Sequence, residues 1–280
     1  MLSLNQSTKK LNIMENKEKY ALVTGGTSGI GKELARLLAA DQYNLILVAR
    51  DESELQQAAQ ELKESHQVAV HTISKDLFKR ESPFEVYDEV KNMGLVVEVL
   101  VNNAAQGAYG EFKDIDINRQ LDMIQLNIGG YVALTSCFLQ DMLSRGTGKI
   151  LNVGSIAGEA PGPLQSVYHG TKAFINNWSA SIQYELKDKG ITVTALLPGP
   201  TETDFFNKAE MNESRMVQDM PHADPDKVAK DGFDALMSGD AKIISGFMNK
   251  VQVGMANMQP DSMAAASMYK QQKPVDKKEE

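Results

Sequence analysis

Residues 20–31 read Tyr20-Ala21-Leu22-Val23-Thr24-Gly25-Gly26-Thr27-Ser28-Gly29-Ile30-Gly31, an apolar run that enters a glycine cluster. After it, Ile30, Leu34, Leu37 and Leu38 recur at helical spacing as far as the Asp41 turn. The stretch therefore predicts strand, tight turn, helix. Backbone N–H groups in such a turn, together with the positive end of the helix, bind a pyrophosphate if the chain comes close enough, which glycine permits. The spacing Gly25, Gly29, Gly31 departs from the G-x-G-x-x-G fingerprint, and glycine turns also occur with no ligand. Its place between a first strand and a first helix favours the binding role.

The same alternation continues outward. Strands are expected at Leu45 to Ala49, Val68 to Ile73, Val97 to Val101, Lys149 to Val153, Ile191 to Leu197 and Ala241 to Ser245. Helices are expected at Glu52 to Glu64, Pro83 to Met93, about Asn118 to Leu143, Val167 to Lys187 and Asp224 to Met237. Continuous Val, Ile and Leu strands alternating with helices are what a parallel sheet covered on both faces requires. The fold class is α/β: a doubly wound, Rossmann-like parallel sheet of about seven strands in a single domain. Residues 1–18 read as an N-terminal extension, with Met14 an alternative start, and residues 19–250 as the catalytic domain, with an inserted lid near 203–220. Residues 251–280 form a C-terminal segment in which Gly254 to Met268 suggests one short helix and Gln271 to Glu280 is expected to be disordered.

Composition excludes several classes. With 29 Lys and Arg against 37 Asp and Glu the net charge is −8, which disfavours nucleic acid and anionic membranes as partners. Cys137 is the lone cysteine, and His66, His71, His169 and His222 lack metal-ligand spacing, so no metal site is expected. No run of about 18 apolar residues or secretory leader is visible, which points to the cytoplasm.

Strand two ends in Ala49-Arg50-Asp51, where a fold preferring NAD places an acidic residue for the ribose hydroxyl. A guanidinium fork matches a 2′-phosphate instead, so NADP is the expected cofactor. The alternative makes Arg50 a solvated charge and Asp51 a helix cap. A tyrosine four residues before a lysine on a helix shares a face with it, and the ammonium can lower the phenol pKa. Four such pairs occur, at Tyr87 and Lys91, Tyr109 and Lys113, Tyr168 and Lys172, and Tyr269 and Lys273. Position favours the third, because Gly154-Ser155-Ile156-Ala157-Gly158 ends strand five just before the helix that carries Tyr168 and Lys172.

With these pieces in order, the chain resembles the short-chain dehydrogenases/reductases of the compact type over about Lys19 to Gly246. The resemblance rests on the Thr24 to Gly31 turn, Asp76-Leu77, Asn102-Asn103-Ala104, Asn127, Ser155, Tyr168-His169-Gly170-Thr171-Lys172 and Pro198-Gly199-Pro200-Thr201-Glu202-Thr203. It implies an NADP-dependent oxidoreductase that interconverts a ketone or aldehyde and an alcohol. Tyr168 would be the general acid or base, Lys172 would lower its pKa and bond the nicotinamide ribose, Ser155 would bond the substrate oxygen, and Asn127 would hold a water leading to Lys172. Cofactor contacts would come from Gly25, Thr27, Ser28, Gly29, Ile30, Gly31, Arg50, Asp76, Leu77, Asn103, Ala104, Tyr168, Lys172, Pro198, Gly199, Thr201 and Thr203. Ala105 departs from the family pattern, which has glycine there. The resemblance also implies a homodimer or homotetramer built on the long helices after strands four and five.

Phe205, Phe206, Met211, Met216 and Met220 give the lid an adaptable apolar character, which suits a lipophilic or bulky carbonyl substrate if these side chains face the site rather than the core. Met255, Met258, Met263 and Met268 could cover the site, a second subunit or a lipid surface. His169 is expected to be structural. The alternative function is an NADP(H)-sensing regulator with little turnover.

Overall fold

Alternate residues of the strands serve two different cores. In β1 (Lys19–Thr24) Ala21 and Val23 face one layer while Tyr20 and Leu22 face the other, and in β2 (Asn44–Ala49) Leu45 and Leu47 oppose Ile46 and Val48. This period of two on a sheet buried on both faces explains why the strands are apolar throughout. The computed structural model describes residues 19–275, so the expected extension at 1–18 and the last five residues lie outside the described part.

The other strands are β3 (Val70–Ser74), β4 (Val96–Asn102), β5 (Gly148–Val153), β6 (Ile191–Leu197) and β7 (Lys242–Ile244). All seven pair in parallel in the order β3-β2-β1-β4-β5-β6-β7. The chain runs outward from β1 to β3, then crosses back so that β4 lies against β1. That reversal opens a crevice at the carboxyl ends of β1 and β4, where ligands of open parallel sheets bind.

The first layer packs α1 (Gly29–Ala40), α2 (Glu52–His66) and α9 (Pro225–Ser238) through Leu34, Leu38, Leu55, Val228 and Leu236. The second packs α3 (Ser82–Asn92), α5 (Gly130–Arg145) and α6 (Ser166–Leu186) through Val86, Leu134, Phe138 and Leu186. Acidic caps start several helices: the Asp51 carboxylate accepts from the Glu54 N–H, and that of Asp224 from the Asp226 N–H ahead of a helix that begins with Pro225. Asp51 is thus the helix cap that one sequence alternative required.

Three expectations need correction. The long helix expected over 118–143 is α4 (Ile117–Ile124) and α5 joined by a π-helical turn at Gln125–Gly129, an irregularity that periodicity does not reveal. The C-terminal segment contains two helices, α10 (Phe247–Ala256), which spans the expected boundary at 250, and α11 (Asp261–Gln272), separated by a stretch that ends in Pro260. Disorder from Gln271 onward does not hold for 271–275, because Gln272 is 0% exposed and Pro274 bridges to Ser214. Tertiary contacts hold a segment whose composition alone looks solvated. Within residues 203–220, the segment expected to form a lid, α7 (Phe205–Lys208) and α8 (Arg215–Gln218) surround a small cluster of Phe206, Ala209 and Met211. No helix among the described residues is long and apolar enough to cross a membrane.

Candidate active site

The crevice at β1 and β4 continues into a cavity of about 710 Å³ that runs from the glycine turn to the lid. This is within the usual size of small-molecule sites. Gly25, Thr27, Ser28, Gly29, Ile30 and Gly31 line one end. Gly25 and Gly29 have φ of +64° and +52°, the left-handed region. A Cβ on Gly31 would sit 2.2 Å from the Gly25 carbonyl oxygen, so the turn closes on α1 only with glycine there. Ser28 caps α1 without a side-chain bond and no acidic residue occupies the first turn, while the Glu54 carboxylate of α2 accepts from the Thr27 hydroxyl at 3.2 Å beside it.

Asn103 braces this turn: its amide nitrogen donates to the carbonyls of Thr24 at 2.9 Å and Gly25 at 3.2 Å. The Thr24 hydroxyl in turn accepts from the N–H groups of Asn103 and Ala104 at 2.9 and 3.0 Å. Arg50, exposed on the cavity wall, lies over the Phe78 ring at 5.1 Å. Asp76, Leu77, Ala104, Ala105, Pro198, Gly199, Thr201 and Thr203 also line the cavity. Thr203 meets the glycine turn directly, since a Cβ on Gly29 would lie 2.8 Å from its methyl carbon.

At the other end stand Ser155, Tyr168 and Lys172. Ser155 follows β5, where its hydroxyl accepts from the Ala157 N–H at 3.0 Å. Tyr168 and Lys172 share one face of α6; Lys172 is 2% exposed and donates to the Val153 carbonyl at 2.8 Å, with its ammonium 5.9 Å from the centre of the Tyr168 ring. Burial pulls the Lys172 amine down to about 7. Burial also pushes the Tyr168 phenol up to about 12, outweighing the smaller lowering influence of the nearby Ser155 hydroxyl, which itself donates to the Pro198 carbonyl at 3.4 Å. The expected lowering of the phenol by Lys172 is therefore not the dominant effect; desolvation is.

Asn127 stands in the π-helical turn, fully buried and not in the cavity wall. Its amide donates to the Gln106 carbonyl at 2.9 Å and the Thr171 hydroxyl at 3.1 Å, and its oxygen accepts from the Gln106 N–H at 3.0 Å. The side chain is thus engaged in holding Gln106 and the residue before Lys172. His169 is buried, with Nδ1 bonded to the Ala160 carbonyl. Among the described residues no group of three or more His, Cys, Asp or Glu is placed to hold a metal.

The competing Tyr/Lys pairs lie elsewhere. Tyr87 and Lys91 both bond Asp141, Tyr109 donates to the Gln272 carbonyl, and Tyr269 is exposed on α11; none lines the cavity. The lid divides, with Phe205, Phe206, Met216 and Met220 facing the cavity and Met211 buried behind them. Sequence reasoning missed Gln165, Gln252, Val253 and Gln272 in the wall. It also missed Asn176, which donates to the Ser155 carbonyl at 3.0 Å and to Glu159 at 2.8 Å. Asn176 was within reach of a periodicity search, since it follows Tyr168 and Lys172 by a further four residues; Gln272 carries no local signal.

Residues 19–214 match the family model described as short chain dehydrogenase. Sulfoacetaldehyde reductase 2 of Chromohalobacter salexigens is 37% identical over 186 residues, 66% of this chain and 73% of that protein. The very-long-chain 3-oxoacyl-CoA reductase of Rattus norvegicus is 36% identical over 187 residues, covering 64% of this chain but only 58% of the rat protein's length. Among solved structures, a short-chain dehydrogenase from Sphingobium yanoikuyae in complex with NADPH aligns with a TM-score of 0.76 at 27% identity, over 88% of this chain and 98% of that one. The bulky-bulky ketone specific alcohol dehydrogenase from Comamonas testosteroni aligns with a TM-score of 0.72 at 26% identity, over 89% of this chain and 97% of its own. From the doubly wound sheet, the ordered motifs and these likenesses together, the chain belongs to the short-chain dehydrogenase/reductase family of oxidoreductases.

Proposed function

We propose that this protein is an NADP-dependent carbonyl reductase or alcohol dehydrogenase, with Tyr168 as its general acid and base. The observation that carries the proposal is the joining of two ends in one cavity: Ser155, Tyr168 and Lys172 at one, the glycine turn and Arg50 at the other. The residues at the second end fit a dinucleotide, because a Cβ would fill the cradle at Gly25 and Gly31 and α1 has no acidic residue in its own first turn. Arg50, in the cavity wall, would receive a 2′-phosphate, and Asp76, Leu77, Asn103, Ala104, Pro198, Gly199, Thr201 and Thr203 would flank the rest. When bound, the nicotinamide dinucleotide supplies or accepts the hydride.

The remaining chemistry is proton movement by the chain itself. Burial holds the proton on Tyr168 at neutral pH, the state a general acid needs, and Ser155, in the same cavity wall, would hydrogen-bond the substrate oxygen that receives it. Lys172, with its amine drawn down to about 7, gives up and regains a proton near neutrality more readily than an ordinary lysine. With its ammonium 5.9 Å from the centre of the Tyr168 ring, it would resupply the phenol. Asn127 keeps Thr171 and Gln106 in place beside it, and Asn176 keeps Ser155 in place, so both act as positioning residues.

Phe205, Phe206, Met216, Met220 and Val253 make the substrate end apolar, which favours a lipophilic ketone or aldehyde. The long-chain acyl and bulky-ketone relatives support that class. Exposed Ile117, Leu121 and Ile124 on α4 and Phe174 on α6 support pairing of two copies through these helices. A single cysteine suits a reducing compartment such as the cytoplasm. The deciding experiment is a panel of ketones, aldehydes and secondary alcohols with NADPH or NADP, followed at the nicotinamide absorbance band. Turnover of lipophilic carbonyls is expected, and cofactor binding with no turnover across the panel would favour a sensing role instead.

A further inference from the structure

Helix α11 places Met268 and Gln272 in the wall of the cavity, yet its only buried residues are Ala264 and Gln272. A helix docked by apolar packing buries a stripe along its length. Polar contacts at the C-terminal end hold this one instead. The Tyr109 hydroxyl donates to the Gln272 carbonyl at 2.6 Å, the Arg215 N–H to the Lys273 carbonyl at 3.1 Å, and the Val275 N–H to the Glu213 carbonyl at 2.9 Å. The tail is thereby pinned both to the loop after β4 and to the lid.

The side chain of Gln272 completes the attachment, and the imidazole it touches sets its orientation. Nδ1 of His169 lies 2.9 Å from the Ala160 carbonyl, which can only accept, so Nδ1 carries the hydrogen. Burial lowers the His169 pKa and keeps the ring neutral, which leaves a lone pair on Nε2. The atom 3.0 Å from it is accordingly the Gln272 amide nitrogen, donating. Oε1 of Gln272 then points away from the ring, buried and with no hydrogen-bond partner among the described residues. A buried carbonyl without a donor is costly, and release of the helix returns it to water, which offsets part of the loss of the other bonds. The closed position is nearer to balance than its number of hydrogen bonds suggests.

We propose that α11 is a movable wall, latched by Gln272 against His169 and Tyr109, and that Gln272 thereby determines the size of carbonyl compound that reaches Tyr168. The His169 and Tyr168 rings both line the cavity with centroids 6.2 Å apart, so the latch closes beside the reacting group. This rests on the carbonyl-reductase function proposed above. The test compares the parental protein with Gln272→Ala and Tyr109→Phe, each checked for folding by circular dichroism. Hydrogen exchange of the α11 amides is expected to quicken about tenfold in Gln272→Ala, as the latch opens. The kcat/KM for benzylacetone relative to propanal should rise about tenfold, the order that one side chain in a pocket commands. Tyr109→Phe retains the amide and should move both readings the same way by less.

Unchanged α11 exchange in folded variants overturns the latch, as does faster exchange with an unchanged size ratio. If no protein, the parental one included, turns over any carbonyl, the reductase function falls. Size selection is then read from dissociation constants for benzylacetone and propanal in the presence of NADPH, on the same criteria.

Discussion

Replacement of Lys172 by Met should remove a pH dependence from the stability of the whole protein. Lys172 is 2% exposed and its amine is drawn down to about 7, whereas the unfolded chain holds that proton to its ordinary 10.5. Between these values the unfolded state binds more protons than the folded one, so the sign is fixed: the folded protein gains stability as pH rises through this window and loses it as pH falls. With close to one proton of difference the slope approaches about 1.4 kcal/mol per pH unit, so from about pH 7.5 to about pH 9.5 the gain is about 2 to 3 kcal/mol.

Other groups titrate nearby in the opposite sense. Burial pushes Tyr43 up to about 12 and raises the Cys137 thiol, so each costs stability as pH climbs past its unfolded value. They are common to both proteins and cancel in the difference. Methionine matches the stem of lysine, and the Val153 carbonyl keeps the Tyr131 hydroxyl as a donor at 3.3 Å, so the substitution leaves no bare acceptor. The assay is urea unfolding of parent and Lys172→Met at the two pH values, read as the change in the free-energy difference between them. The variant is expected to be the more stable protein at the lower pH and to lose most of that advantage at the higher one. Curves that run parallel would refute the claim that Lys172 is buried at a depressed pKa.

Tyr168→Phe should lower turnover by about 10²- to 10⁴-fold while NADPH affinity stays nearly intact, and Tyr87→Phe should leave the rate within a few fold, both read from steady-state kinetics. NADPH should bind more tightly than NADH, and Arg50→Asp should reverse the order; equal dissociation constants for the two in the parental protein, by fluorescence titration, would remove the assignment of Arg50 to a phosphate. Gly31→Ala puts a methyl 2.2 Å from a backbone oxygen that cannot step aside without opening the glycine turn. It should weaken NADPH binding at least about tenfold and cost about 1 to 3 kcal/mol in denaturant unfolding, the range for overpacking.

The sheet and its helices were legible because periodicity is a local property: a strand such as Leu45 to Ala49 buried on both faces must be apolar throughout, and α1 must repeat its leucines every three or four residues. The glycine turn was legible for a similar reason, since positive φ at Gly25 and Gly29 and the contact at Gly31 restrict the residue type itself. Among four Tyr/Lys pairs, the place of Tyr168 behind β5 separated it from the others without coordinates. What tertiary structure alone decided was the environment of these groups. The amine of Lys172 and the phenol of Tyr168 are shifted by burial, which no spacing records. Asn127 is spent on Gln106 and Thr171 through a π-helical turn, and Asn103 braces backbone nearly eighty residues away. Gln272, from a tail whose composition reads as solvated, reaches His169 across 103 residues. Side chains that meet across such distances are chosen by the packed whole, and a single chain read from end to end holds no local pattern that marks them.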